Sequence, residues 1–167
     1  LNVDVAKSKV NWVGKKVTGQ HSGTVMIKSG RVIFENDRPV SGNFVIDMNS
    51  IACTDLQGDY ANKLVGHLKS DDFFGVANNP TVSFVMKNAA ATADPKSFVI
   101  TGDLTIKAVT LPVSFDAKID MSTATAKIKV DRTKFGIKYG SGSFFDNLGD
   151  KAIDNIFEMD VMLAFTK

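Results

Sequence analysis

Apolar and polar residues alternate along much of this chain, and the alternation is clearest over residues 111–121. The apolar positions are Leu111, Val113, Phe115, Ala117, Ile119 and Met121. A β-strand turns alternate side chains to opposite faces, so this spacing gathers the apolar ones on one face. The same alternation recurs over 124–131 and 157–165. These three segments are therefore predicted to be strands with one apolar and one polar face.

Six further segments show a weaker form of the same alternation, namely 9–17, 22–28, 30–35, 40–48, 81–88 and 97–106. Residues typical of turns separate the segments: Ser29-Gly30, Asn36-Asp37, Asn78-Asn79-Pro80 and Asp94-Pro95. Strands with one apolar face are typical of antiparallel sheets that are wetted on the other face. The pattern thus predicts about nine antiparallel strands.

Two segments depart from this pattern. Residues 55–68 place apolar side chains at helical spacing, and Asp55 is predicted to cap the start of that helix. A second short helix is predicted over 144–155, before the last strand. We find no domain boundary or internal repeat, so residues 1–167 are predicted to form a single domain.

The strands can bury their apolar faces in two ways, as two packed sheets or as one sheet closed into a barrel. A barrel of about eight strands has an interior that side chains or one small ligand can fill. The alternation alone leaves both arrangements open.

Composition and charge exclude several classes of function. The net charge is +2 without a basic run, which argues against nucleic-acid binding. No apolar run reaches the ~20 residues of a membrane-spanning helix. Twelve Phe against two Tyr and one Trp favour a dry interior. The single Cys53 cannot form an internal disulfide, and we expect it to be inert because no basic neighbour lowers its pKa.

Several motifs occur in order along nearly the whole chain. Together they resemble the YceI-like family. They are Trp12-Val13-Gly14-Lys15-Lys16 with 19–23, Asp47-Met48-Asn49-Ser50-Ile51 with Asp55, 64–74 with 80–84, Thr101-Gly102-Asp103-Leu104-Thr105-Ile106-Lys107, and 131–137. One block alone would be a weak signal, whereas five in register are specific. The sequence departs from the usual pattern at Ala108, where glycine is usual, and at Gly75, where an acidic residue is usual.

This resemblance implies an all-β, lipocalin-like antiparallel barrel with one or two short helices and an interior lipid site. It also implies a periplasmic or secreted protein, and the start at Leu1 agrees with removal of a targeting segment. The implied function is non-enzymatic binding, transport or sequestration of a polyisoprenoid, an isoprenoid quinone or a fatty-acid-like amphiphile. The expected partners are that lipid, without nucleic acid or a membrane span. Transient contact with a membrane or carrier, and a homodimer through exposed edge strands, stay open.

The inward positions of the predicted strands give the candidate lumen residues. They are Trp12, Val25, Ile27, Phe34, Phe44, Ile46, Phe84, Met86, Ile100, Leu104, Phe115, Ile128 and Phe157. A dense polar stretch beside a Phe pair gives most of the candidate rim and head-group residues, which are His21, His67, Ser70, Asp71, Phe73, Phe74 and Tyr139. Ser70, Asp71 and Asp72 are also predicted to cap a short turn that carries Phe73 and Phe74.

His21 and His67 are the only histidines, and three roles are open to them: contact with a head group, bracing of loops, or metal binding. The recognisable spacing of zinc ligands is missing, so we predict no metal site. No motif indicates a cofactor. Two alternatives to lipid binding are a hydrolase-like enzyme that uses His67 with Asp71 or Asp72 on a lipid-like substrate, and a stress-response interaction module with an incidental cavity. No Gly-x-Ser-x-Gly motif supports the hydrolase.

Overall fold

The computed structural model describes residues 1–144, 148 and 152–166, and in these ranges it contains one antiparallel sheet of nine strands and one α-helix. The strands are β1 (Asn2–Val3), β2 (Lys9–Lys16), β3 (Gly19–Glu35), β4 (Arg38–Cys53), β5 (Thr81–Ala91), β6 (Ser97–Ile106), β7 (Val109–Ile119), β8 (Thr123–Asp131) and β9 (Ile156–Thr166). The α-helix is α1 (Gly58–Lys69), and a 3-10 helix covers Arg132–Phe135.

Eight strands close into a barrel. Each of β2 to β9 pairs with its neighbour in the circular order β2-β9-β8-β7-β6-β5-β4-β3, and β3 pairs with β2 to complete the circle. The short β1 lies outside this circle and pairs with both β3 and β9. The predicted antiparallel barrel of about eight strands is therefore confirmed, and the two-sheet sandwich is excluded.

The sequence alternation sets the inside and the outside of the barrel. In β6 every second residue from Phe98 to Ile106 is buried, and the residues between them are partly exposed. Ile100 and Ile106, on the buried face of that strand, are each only 2% exposed. The apolar faces thus meet in one continuous core inside the barrel.

The predicted turn at Ser29-Gly30 is wrong, because the two segments that it separated belong to the single long strand β3. A register shift between Ile27 and Ser29 marks a β-bulge there. The site of Gly30 has no room for a larger residue, because a Cβ there would lie 2.7 Å from Cγ2 of Val3 and 2.9 Å from Cδ1 of Phe44. Glycine at this position permits close packing rather than a chain reversal.

The predicted helix near residue 60 is present, but Asp55 does not cap it. The N-cap position of α1 is Gln57, and no side chain bonds there. Asp55 instead accepts hydrogen bonds from residues of β3 and β4, described below. Half of the predicted helix over 144–155, residues 145–147 and 149–151, lies outside the described residues. Residues 152–155 are described and are not helical, and Ile153 forms an isolated bridge with Lys16.

One pair of neighbouring strands is joined along only part of its length. β7 and β8 pair through three residue pairs, from Ala117 opposite Ala126 to Ile119 opposite Ala124. By contrast, β6 and β7 pair over ten residues. The rest of β7, from Val109 to Asp116, has no partner on its β8 side among the described residues. None of the helices in the described part of the chain is long and apolar enough to cross a membrane.

Candidate functional site

The barrel interior contains a cavity of about 110 Å³, which we call the inner chamber. Thr125 is the only residue with a polar side chain among those that line it. Phe84 is part of its wall, with the Phe115 ring centroid 5.5 Å away and the Phe44 ring centroid 6.3 Å away. A chamber with such a lining offers a ligand apolar contact and almost no hydrogen bonds.

A second cavity of about 270 Å³, the outer chamber, lies beneath α1 and the loop that follows it. The two chambers share Ile46, Leu104 and Met159 in their walls, so they adjoin one another. The outer chamber also has charged or titratable lining residues, namely Lys15, Lys16, His21, His67, Arg132 and Asp154. We call the two adjoining chambers together the joined cavity; it is apolar at one end and partly polar at the other.

Most of the predicted lumen residues lie along these walls. The wall of the inner chamber includes Ile27, Phe44, Ile46, Phe84, Met86, Ile100, Leu104, Phe115 and Ile128. The outer chamber contains Trp12, Val25 and Phe157. Phe34 lines neither of the two chambers in the described part of the chain. It packs edge-on against Phe165, with ring centroids 6.0 Å apart.

Four of the predicted rim residues, His21, His67, Phe73 and Phe74, line the outer chamber. The His67 ring stands edge-on to Phe73 and Tyr139, at 4.9 and 4.6 Å between centroids. Its Nε2 lies 3.1 Å from Oδ2 of Asp72. His67 thus belongs to an aromatic cluster at the end of α1.

Ser70 and Asp71 hold the loop after α1 rather than lining either chamber. The Ser70 hydroxyl donates to the carbonyl of His67 at 2.6 Å, so Ser70 is the C-cap of α1. The prediction that Ser70, Asp71 and Asp72 cap the start of a turn is therefore wrong, since the Ser70 side chain donates to the helix it ends. The carbonyl of Asp71 accepts a hydrogen bond from Lys107 Nζ at 2.9 Å, which ties this loop to the β6–β7 hairpin.

His21 is part of a polar cluster with Asp55 and Cys53. Asp55 Oδ2 lies 2.9 Å from His21 Nδ1, and Oδ1 accepts hydrogen bonds from Cys53 Sγ and the backbone N–H of Ser22. Partial burial alone would raise the pKa of Asp55, but the hydrogen bonds from Cys53, His21 and Ser22 outweigh it and lower this pKa to about 2. Partial burial and the bond to Asp55 raise the pKa of the Cys53 thiol. The cluster joins β3 to the segment before α1.

Arg132 is a component of the outer chamber that sequence reasoning missed. It is only 4% exposed, and its guanidinium carbon lies 5.7 Å from the centre of the Phe73 ring. Its three nitrogens donate to the carbonyls of Asp154, Ile137 and Ile153. The motif 131–137 was the available signal, but the burial depends on carbonyls up to 22 residues away.

Potential metal ligands are not clustered in the described ranges: no group of three or more His, Cys, Asp or Glu side chains has an arrangement that could hold an ion. The ring of His67 has Asp72 as its hydrogen-bond partner, and both side chains are more than a third exposed.

Fold and cavity together define a class of protein: a closed eight-stranded antiparallel barrel with an apolar interior that adjoins a partly polar chamber under a helix. The sequence model of the family described as the YceI-like domain matches residues 1–165, so the chain belongs to the YceI-like family.

Named relatives match over shorter segments. A UPF0312 protein of Pseudomonas aeruginosa is 45% identical over 53 residues, which are 32% of this chain and 27% of the relative. Protein YceI of Escherichia coli O157:H7 is 30% identical over 97 residues, 58% of this chain and 48% of the relative. The matches thus span about half or less of the relatives' own lengths.

Solved structures show the same fold over most of the chain. Burkholderia cenocepacia BcnA has a TM-score of 0.76 at 24% identity and covers 98% of this chain and 99% of its own. A polyisoprenoid-binding domain from Saccharophagus degradans, implicated in plant cell wall breakdown, has a TM-score of 0.66 at 13% identity, over 97% of this chain and 95% of that domain. The barrel is therefore the architecture of these proteins.

Proposed function

We propose that this protein binds one long-chain amphiphile inside the barrel and carries or sequesters it without chemical change. The ligand class comprises polyisoprenoids, isoprenoid quinones and fatty-acid-like molecules. The observation on which this proposal rests is the joined cavity, whose inner chamber has an almost wholly apolar lining. The description of the Saccharophagus degradans domain as polyisoprenoid-binding supports the same ligand class.

Burial of the apolar tail would supply most of the affinity. A tail that loses ~500 Å² of accessible surface gains about 12 kcal/mol before the costs of ordering and association. Discrimination between tails is expected to be weak, because one methylene contributes only ~0.8 kcal/mol. We therefore expect the protein to accept tails of several chemical types and of similar length.

A side chain that fills the inner chamber tests this proposal. We expect Ala126→Phe, which adds a ring at the chamber wall, to weaken binding of the fluorescent isoprenoid alcohol retinol at least about tenfold, because the ring occupies the volume of the tail. Lys127→Phe is the matched control, since Lys127 lies next along β8 on the exposed face. Thermal unfolding establishes that both variants are folded. Equal retinol affinity in wild type and a folded Ala126→Phe variant would refute the lumen as the binding site.

The non-enzymatic part of the proposal predicts that bound lipid leaves the protein unmodified. The hydrolase alternative needs a nucleophile beside His67, whereas the ring contacts Asp72, Phe73 and Tyr139. A long-chain ester incubated with the protein should be recovered intact by mass spectrometry. Hydrolysis that disappears in His67→Ala would establish the enzyme instead.

We also propose a periplasmic or secreted location, which the resemblance implied. Loading from a membrane or a carrier, and assembly into a homodimer, stay predictions. Fractionation of the producing cells tests the location: the protein should leave with the periplasmic or extracellular fraction, and retention with cytoplasmic markers would contradict it.

A further inference from the structure

The outer chamber contains a buried cation. Arg132 is only 4% exposed, and it lines the chamber together with Phe73. None of the ion pairs between described residues includes Arg132. Burial lowers the pKa of Arg132 and outweighs the nearby carboxylates of Asp131 and Asp154, neither of which forms an ion pair with it, and backbone carbonyls compensate only part of the lost hydration.

The hydrogen bonds of Arg132 leave donors unused. A guanidinium has five N–H groups in a fixed planar arrangement. Three of them donate to the carbonyls of Asp154, Ile137 and Ile153, at 2.9, 3.0 and 3.1 Å. No other hydrogen bond of this side chain occurs within the described residues, so two N–H groups are without a partner there, and Arg132 lines the outer chamber.

Three other titratable groups of the outer chamber have side-chain partners. His21 is bonded to Asp55, and His67 is bonded to Asp72. Lys15 lies 3.7 Å from Glu158. Of the remaining lining residues with full charges, Arg132 and Lys16 are cations, and Asp154 is the carboxylate. Among these groups, Arg132 alone is both a cation and buried.

We propose that Arg132 recognises the carboxylate of a single-chain amphiphile whose tail lies in the inner chamber. This inference rests on the proposed function and makes the ligand acidic at its head. A ligand carboxylate can form the direct ion pair that Asp131 and Asp154 do not form, and it accepts from two N–H groups of one guanidinium at once. The polar end of the cavity then holds the head, while the apolar end holds the chain.

Matched probes test this assignment on the wild-type protein. Palmitic acid and its alcohol, hexadecanol, have the same tail, and each is titrated as a competitor of bound retinol at pH 8, where the acid is ionised. We expect the acid to bind at least about tenfold more tightly, the usual effect of a charge-assisted hydrogen bond in a buried site. The preference should persist in 0.5 M NaCl, since a buried pair is poorly screened.

Variants separate Arg132 from the exposed cation of the same chamber. In Arg132→Gln we expect the acid preference to fall to about onefold while hexadecanol affinity is kept, because the alcohol does not need the charge. Lys16→Gln is the control and should keep the acid preference. If Arg132→Gln does not fold, because it has lost bonds to three carbonyls, Arg132→Lys replaces it: the charge is kept but the planar pair of N–H groups is lost, so the acid preference should fall severalfold, and an unchanged preference would overturn the role of Arg132.

The outcomes also distinguish the two proposals. Equal affinity for acid and alcohol in the wild type would overturn the role of Arg132 but leave the lipid lumen intact. Failure of retinol, acid and alcohol alike to bind would overturn the proposed function itself. An acid preference that high salt or Lys16→Gln abolishes would assign recognition to the surface lysine and overturn the inference.

Discussion

At the scale of single residues, the environment of Asp55 strongly favours the ionised form of its carboxyl group. Its carboxylate joins His21, Ser22 and Cys53, and these hydrogen bonds overcome the effect of partial burial, so that its pKa falls from 3.8 to about 2. A depressed pKa means that the folded state prefers the ionised form. The resulting stability is present above about pH 4 and is lost as the pH falls towards 2.

Asp55→Asn should therefore destabilise the protein by about 1–2 kcal/mol at pH 7, a typical contribution of hydrogen bonds to a charged group. The difference between variant and wild type should shrink below pH 4, as followed by urea unfolding across that range. Asp72→Asn removes a comparable partner of His67, but Asp72 is 54% exposed. We expect this control to cost less than about 0.5 kcal/mol. A destabilisation by Asp55→Asn that stayed constant from pH 7 to pH 2 would contradict the assignment.

The roles of two residues, Asp55 and Arg132, could not be predicted from the sequence. Asp55 was predicted to be an N-cap because aspartate is common at the start of helices. In the structure, its carboxylate is bonded instead to three residues of β3 and β4. Arg132 was missed because its burial depends on carbonyls of residues 137, 153 and 154. Neither contact leaves a periodic signal in the chain.

At the scale of elements, the β6–β7 hairpin explains a departure from the usual pattern of the family. Ile106 pairs with Val109, so Lys107 and Ala108 form a two-residue turn, with φ of 50° and 62°. Such a turn favours glycine, because a Cβ is strained in the left-handed region.

We predict that Ala108→Gly raises the free energy of unfolding by about 1 kcal/mol, measured by chemical denaturation, because relief of this strain exceeds the entropy cost of glycine. Lys107→Gly relieves similar strain but removes the hydrogen bond from Lys107 Nζ to the Asp71 carbonyl, so its gain should be smaller. A loss of stability in Ala108→Gly would show that the turn is not strained.

The incomplete pairing of β7 with β8 also belongs to this scale. β7 pairs fully with β6 but meets β8 only from Ala117 to Ile119. Pro112 lies in the part without a β8 partner and has no N–H to donate. Backbone N–H groups that face β8 in this part have no strand partner among the described residues, so we expect them to be poorly protected.

Hydrogen exchange resolved by NMR should show fast exchange at those amides of 110–116 that face β8. The amides of β6 are the control, because β6 is flanked by paired strands on both sides. Uniformly slow exchange along β7 would contradict the partial separation of the two strands.

The alternation of apolar residues predicted most strands correctly because it repeats locally and has one physical cause, the pleat of a strand. It misplaced the division of β3 because Ser29-Gly30 reads as a turn, while the close approach of Val3 and Phe44 explains the glycine. The two-residue β1 was not among the predicted strands, because no periodicity can be read from so short a segment. Barrel closure needed the resemblance, since alternation is the same in a sandwich.

At the scale of the whole molecule, the barrel, the two chambers and the buried Arg132 form one gradient from an apolar end to a polar end. The candidate lumen could be predicted from the inward face of each strand. Its division into two chambers could not, because it depends on the packing of side chains from different strands, such as Ile46, Leu104 and Met159, where the chambers adjoin. The central claim is that this joined cavity holds one long-chain amphiphile.

Native mass spectrometry of the purified protein, together with mass spectrometry of its organic extract, tests that claim most directly. We predict one bound long-chain amphiphile per chain, recovered unmodified and with an acidic head. The contrary result is a protein that is isolated empty and that stays empty after incubation with prenyl and fatty-acyl probes, in which case the cavity is incidental to another function.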